Sequence, residues 1–182
     1  MRVTAAFFTF IVLLAGLAGL SRGQGAPMGL YVEGLTDSSA VRCPYCHRAI
    51  VPGRIHQNAE DVISTEMGGS LEERGIPFTR APGQARYLQV LIYRFQEREG
   101  GNFSVVRPAS VGFHVHLFEG DKLIDEFIFD ETQQPLSDNI FRFFDFLRRG
   151  AKWVTAGDLA REGIHKAIDA LAGSLEGSAE KP

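Results

Sequence analysis

Between Arg86 and Glu131 the chain reads RYLQVLIYRFQEREGGNFSVVRPASVGFHVHLFEGDKLIDEFIFDE, three runs rich in β-branched and aromatic residues. In the first run Leu88, Val90 and Ile92 fall on one side and Tyr87, Leu91, Tyr93 and Phe95 on the other. Successive side chains of a strand point to opposite faces, so a run apolar on both faces predicts a central strand. In the second run Val111, Phe113, Val115 and Leu117 alternate with His114, His116 and Phe118. Glu99-Gly100-Gly101-Asn102 supplies one reversal and Gly120-Asp121 the other, because glycine accepts the positive φ of a tight turn. A two-residue loop at Gly120-Asp121 sets Glu119 against Lys122, Phe118 against Leu123, His116 against Asp125 and His114 against Phe127.

Helical spacing lies on both sides of this meander. Asn58 is placed to cap a helix over about 58–74, with Val62, Ile63, Met67 and Leu71 as its apolar stripe and Gly75 at its end. Ser137 opens a second, about 138–149, whose stripe is Ile140, Phe143, Phe144 and Leu147. Phe141 and Phe146 lie off that stripe and are candidates for a partner surface. Thr155 and Asp158 form a capping box ahead of a third helix, about 156–172, carrying Ala160, Ile164, Ala167, Ile168 and Leu171 and stopped by Gly173. Gly29–Leu35 suits a first strand and Gly75–Thr79 a short one. The pattern predicts an α+β domain, one mixed and mostly antiparallel sheet around the 86–131 meander with the helices packed against it.

Residues 1–23 carry a basic start at Arg2, an apolar run from Ala5 to Leu20 and a small-residue exit, the layout of a secretory signal peptide cleaved after Gly23 or Gly25. A single domain over 24–173 and a disordered polar tail over 174–182 follow. Leu17-Ala18-Gly19 is followed by Leu20 rather than cysteine, so lipid attachment is not expected. No later apolar stretch is long enough to span a membrane. The formal net charge of −3 becomes more acidic once Arg2 and Arg22 leave with the leader, and no basic stripe remains for nucleic acid. The compartment implied is outside the cytoplasm, periplasmic or associated with the outer membrane.

Export bears on Cys43-Pro44-Tyr45-Cys46-His47, which holds the only two cysteines. The plainest reading is a local Cys43–Cys46 disulfide in an oxidising compartment, needing no cofactor. The spacing also matches covalent c-type haem, two thioethers with His47 as axial ligand. The segment looks like the glutaredoxin active centre as well, although Pro52-Gly53 would break the helix that should follow Cys46. Zinc is the fourth reading, with Cys43 and Cys46 joined by two of His47, His56, His114 and His116. His114 and His116 share one strand face, and a solvated cross-strand pair with Asp125 explains them without metal. Asp130-Glu131 reads as an ordinary solvated strand exit. No phosphate-binding loop, nucleophile elbow or His-Glu-x-x-His is present, so no catalytic residue is assigned.

From Tyr87 to Leu171 the order of elements is similar to the α/β domains of the curli-secretion lipoprotein family and the TolB amino-terminal domain. Phe129-Asp130-Glu131-Thr132-Gln133, Pro135-Leu136-Ser137, Arg149-Gly150 and Lys152-Trp153-Val154-Thr155-Ala156 resemble a set of small, uncharacterised bacterial envelope proteins, many of them lipoproteins. That resemblance implies an exported, non-enzymatic accessory protein that binds another envelope protein in assembly or transport. The alternative is a redox or metal protein centred on Cys43, Cys46 and His47.

Overall fold

The computed structural model describes residues 26–100, 105–133 and 154–176. In chain order the elements are β1 (Met28–Gly34), α1 (Ala59–Glu73), β2 (Phe78–Thr79), β3 (Arg86–Gln96), β4 (Glu99–Gly100), β5 (Val105–Arg107), β6 (Ser110–Glu119), β7 (Lys122–Thr132) and α2 (Ala156–Glu176). Five strands form one sheet in the order β2-β1-β3-β6-β7, and β4 and β5 make a separate ribbon. β1 runs parallel to β2 and β3, whereas β3, β6 and β7 are antiparallel neighbours. The α+β class and the central meander match the reading of the pattern, and β3 is the middle strand. The leader, the expected helix at 138–149 and Phe141 and Phe146 lie outside the described residues.

Two bulges decide which side chains share a face. Ile92 pairs with Phe113 but Arg94 with Gly112, so Tyr93 is an extra residue in β3. Beyond it the alternation changes phase, and Phe95 joins Leu88, Val90 and Ile92 instead of Leu91 and Tyr93, as strict alternation had it. In the hairpin at Gly120, where φ is +57°, Glu119 pairs with Lys122 and Phe118 with Leu123 as expected. Leu117 then pairs with Asp125, which leaves Ile124 as the bulged residue. The expected His116–Asp125 and His114–Phe127 pairs are therefore replaced by His116–Glu126 and His114–Ile128. Asp125 turns to the opposite face, where its carboxylate accepts the Ser174 hydroxyl at 2.5 Å.

One face of the sheet is covered by the two helices. Ile63, Met67 and Leu71 of α1 and Leu159, Ala160, Ile164, Ala167, Ile168 and Leu171 of α2 pack with Leu30, Leu88, Val90, Val111, Phe113, Val115 and Phe129 into one core. Periodicity selects these positions because a helix against a sheet buries one stripe. Val62 is at the edge of the stripe and only half-buried. Thr155 and Asp158 form the expected box, each backbone N–H donating to the other's side-chain oxygen at 3.0 Å. Asn58 stands at the N-cap of α1 but makes no side-chain cap; its Oδ1 faces His56 Nδ1 at 2.6 Å. α2 continues through Gly173 to Glu176, so part of the expected tail is helical. Gly173 has open space where a Cβ would sit and lies outside the left-handed region, so nothing there compels a stop.

Gly163 has the opposite role: a Cβ there would lie 2.6 Å from the Phe129 ring and 2.9 Å from Phe113. Gly163→Val forces rigid rings apart and should lower unfolding free energy by about 1–3 kcal/mol. Gly173→Ala should raise it by up to about 1 kcal/mol through helix propensity. Denaturant midpoints of the two variants check both signs.

Candidate metal centre

The face of the sheet away from the helices is covered by the chain between β1 and α1. This segment is held by its backbone: Leu35 donates to the Ile92 carbonyl at 2.7 Å, Gly53 to Tyr93 at 2.8 Å and His56 to Phe95 at 3.0 Å. Within it, residues 41–50 fold into a tight ribbon. Cys43 donates to Arg48 at 2.9 Å, His47 to Cys43 at 3.0 Å and Ile50 to Val41 at 3.1 Å. His47 adopts φ +59°, and that left-handed residue turns the chain back immediately after Cys46. The ribbon sets Cys43 and Ile50 against Leu91 and Tyr93, with Leu35, Ala40, Tyr45 and Cys46 around them, as a second and smaller core.

His114 and His116 project from β6 into this second core, and both are fully buried. They are not the solvated pair with Asp125 that the sequence suggested. The ribbon covers them, and the β7 bulge has moved Asp125 to the other face. Cys43 Sγ lies 3.3 Å from His116 Nε2, and Cys46 Sγ lies 3.4 Å from His114 Nδ1. The four side chains each offer a ligand atom, all within 4.8 Å of one another. Tetrahedral zinc at ordinary bond lengths holds sulfur and nitrogen ligands roughly 3.5 Å apart. A Cys2His2 set at this spacing can hold one metal ion.

The surroundings favour ligation. His116 Nδ1 faces the Gln89 carbonyl at 3.0 Å, which fixes a proton on Nδ1 and holds the ring with Nε2 directed at Cys43. His114 Nε2 is buried without a hydrogen-bond partner, so Nδ1 is the nitrogen turned to the cluster. Burial alone would raise the Cys43 thiol, yet hydrogen bonds from His114 and His116 and from the backbone N–H of Cys46 and Tyr45 carry it down to about 5. Burial pushes Cys46 the other way, to about 12, against a backbone hydrogen bond from Arg48 and with the negative Cys43 beside it. Without metal the pair thus holds one thiolate and one thiol. Tyr45 closes one side: its ring lies 5.2 Å from the His116 ring and its hydroxyl donates to Glu33.

The other readings of the cysteine segment fit this geometry less well. Both thiols are free and the local disulfide is not formed; each sulfur is turned to an imidazole instead. No helix starts at Cys43 or Cys46, since α1 begins at Ala59, so the glutaredoxin arrangement is absent. Covalent haem needs outward-facing sulfurs with His47 beneath the iron. Here Cys43 and the histidines are enclosed, and His47 is exposed on the far side of the turn, its carbonyl accepting Arg42 at 3.0 Å. His56 is also exposed and outside the cluster. Asp130 is not simply solvated, because it pairs with Arg94 and accepts the Tyr93 hydroxyl at 3.1 Å. Sequence reasoning passed over Gln89, Glu126 and Arg48. Gln89 and Glu126 become visible only through the β3–β6 and β6–β7 registers.

The two thiols give metal-free protein a signed pH dependence. Cys43 is depressed on folding, so its contribution to stability is present above the ordinary thiol range and is lost as pH falls through about 5. Cys46 is raised, so its contribution is present at low pH and is lost as pH climbs toward about 12. Denaturant unfolding of metal-free protein from about pH 4 to pH 8 should show stability rising with pH, with a flatter profile for Cys43→Ser.

No family model matches the chain, and no curated protein matches it. Among solved structures, it is similar to the PelC dodecamer from Paraburkholderia phytofirmans at 12% identity, covering 80% of this chain and 87% of that one, with a TM-score of 0.47. A DUF330 protein from Xanthomonas campestris is 12% identical over 82% of this chain and 85% of its own, with a TM-score of 0.44. A hypothetical protein from Chlamydia trachomatis is 13% identical over 84% of this chain and 100% of its own, with a TM-score of 0.46. Likeness this distant assigns no activity, ligand or partner.

Proposed function

We propose that this chain is an exported, non-enzymatic accessory protein of the cell envelope whose domain carries a structural zinc ion on Cys43, Cys46, His114 and His116. The observation that carries the metal reading is the convergence of four ligand atoms, from two distant stretches of chain, within 4.8 Å. Four protein ligands fill a tetrahedral zinc and leave no position for water or substrate, which favours a structural role over catalysis. Zinc suits the donor set, two soft thiolates with two imidazoles.

The ion would fasten the ribbon at 41–50 to the sheet. The histidines stand on a strand held on both sides by β3 and β7, whereas the cysteines belong to a segment without helix or long strand. Metal free energy would therefore fall mainly on the placement of the ribbon and less on the helix-covered core. The leader-like residues 1–23 and the resemblance to envelope proteins support export and a protein partner. Among the described residues no helix is long and apolar enough to cross a membrane.

Full-length protein purified without added metal should contain one zinc per chain and show no Soret band. Cobalt substitution should give the intense visible bands of a tetrahedral thiolate site. His114→Ala or Cys46→Ser should lose the ion. Chelation should lower stability by about 4 kcal/mol if zinc was present at a thousandfold excess over its dissociation constant. It should also open residues 36–57 to hydrogen exchange before β3 and β6. Metal-free protein with unchanged stability and exchange would reject the reading.

A further inference from the structure

The candidate centre is closed by apolar packing on all sides but one. Cys43, His114 and His116 are fully buried, and Leu35, Ala40 and Tyr45 pack around them from the side of β1. Cys46 is only half-buried, and its neighbour toward β7 is Glu126. The β6–β7 register places Glu126 directly across from His116 on the same face. Glu126 Oε1 accepts from Arg48 Nε at 2.8 Å, while Oε2 is enclosed without a nitrogen or oxygen donor and the carboxylate lies against the Cys46 thiol. A buried carboxylate oxygen served by no donor stronger than a thiol is costly. The side chain remains 23% exposed, so one carboxylate reaches from water to the edge of the cluster.

We propose that Glu126 is a relay ligand for the metal centre, taking an incoming zinc ion at the open side and passing it to Cys46 and His116. The inference rests on the reading of Cys43, Cys46, His114 and His116 as a zinc site. A hydrated zinc ion accepts carboxylate oxygen readily, and a rim carboxylate raises the local cation concentration. Passage is a ligand exchange with no change of oxidation state. Carboxylate oxygen replaces one water on zinc, Cys46 sulfur then replaces the carboxylate, and the thiol proton leaves to solvent. Arg48 makes the step reversible: its ion pair with Glu126 is mostly exposed on the arginine side, so it opens at little cost and re-forms once zinc has moved inward.

The test measures zinc uptake by metal-free full-length protein and zinc release to a chelator. Glu126→Gln keeps an oxygen for Arg48 but removes the anion. Both rate constants should fall about tenfold, the scale on which groups just outside a metal's ligands act, while their ratio, the affinity, moves less than about threefold. Glu126→Asp should recover part of the rate. Uptake by the unaltered protein should slow with ionic strength more steeply than uptake by Glu126→Gln. Unchanged rates in Glu126→Gln overturn the relay and leave the zinc site standing. A loss of affinity with unchanged uptake overturns it equally and makes Glu126 a clamp for the ribbon. Failure of the unaltered protein to bind zinc removes the relay and the underlying site together.

Discussion

Two buried imidazoles on one strand constrain everything on their side of the sheet. A buried polar nitrogen must find a partner or cost free energy, and β6 places two of them side by side beneath a covering loop. Gln89 satisfies one nitrogen through its backbone carbonyl, and the sulfurs of Cys43 and Cys46 face one nitrogen on each ring. The ribbon at 41–50, the inward aim of the cysteines and the Tyr45 ring over His116 all serve this arrangement. The same strand presents Val111, Phe113, Val115 and Leu117 to the helices, so one pleat supports two unlike cores.

The division of labour between those cores has a mechanical sense. The helix-covered side is broad, aliphatic and aromatic, and can hold a domain of this size by burial alone. The other side holds few apolar residues, Leu91, Tyr93 and Ile50 being the largest among the fully enclosed ones, over a long stretch without helix. A small core of this kind is where a metal would add most, because an ion would replace burial that the loop cannot supply. With a metal bound, four protein ligands would separate this arrangement from a catalytic metal site, where one position must stay open.

The electrostatics of the cluster follow from its local hydrogen bonds. Cys43 is faced by the His114 and His116 rings and, because the chain turns sharply there, also collects N–H groups from Cys46 and Tyr45; together these donors stabilise a thiolate that burial would otherwise forbid. Cys46 has fewer donors and a negative neighbour, so it keeps its proton until something displaces it. The asymmetry leaves the retained proton on the more exposed sulfur, beside Glu126 and Arg48.

The alternation along 86–131 settled the central strand, the hairpin at Gly120 and the fact that His114 and His116 share a face, because a period of two is a local property of extended chain. The stripes of α1 and α2 and the Thr155–Asp158 box were legible because helical spacing and capping are local too. What the sequence left open was which residues meet across distance. Tyr93 and Ile124 each insert one residue into a ladder, and no local pattern marks either. Those insertions send Phe95 and Asp125 to the helix side and bring Glu126 opposite His116. The sequence offered four histidines as partners for one cysteine pair, along with a disulfide, haem and a redox centre. Only the folding of the ribbon over β6, a packing choice made by Ile50, Leu91 and Tyr93, selected His114 and His116 and left His47 and His56 in solvent.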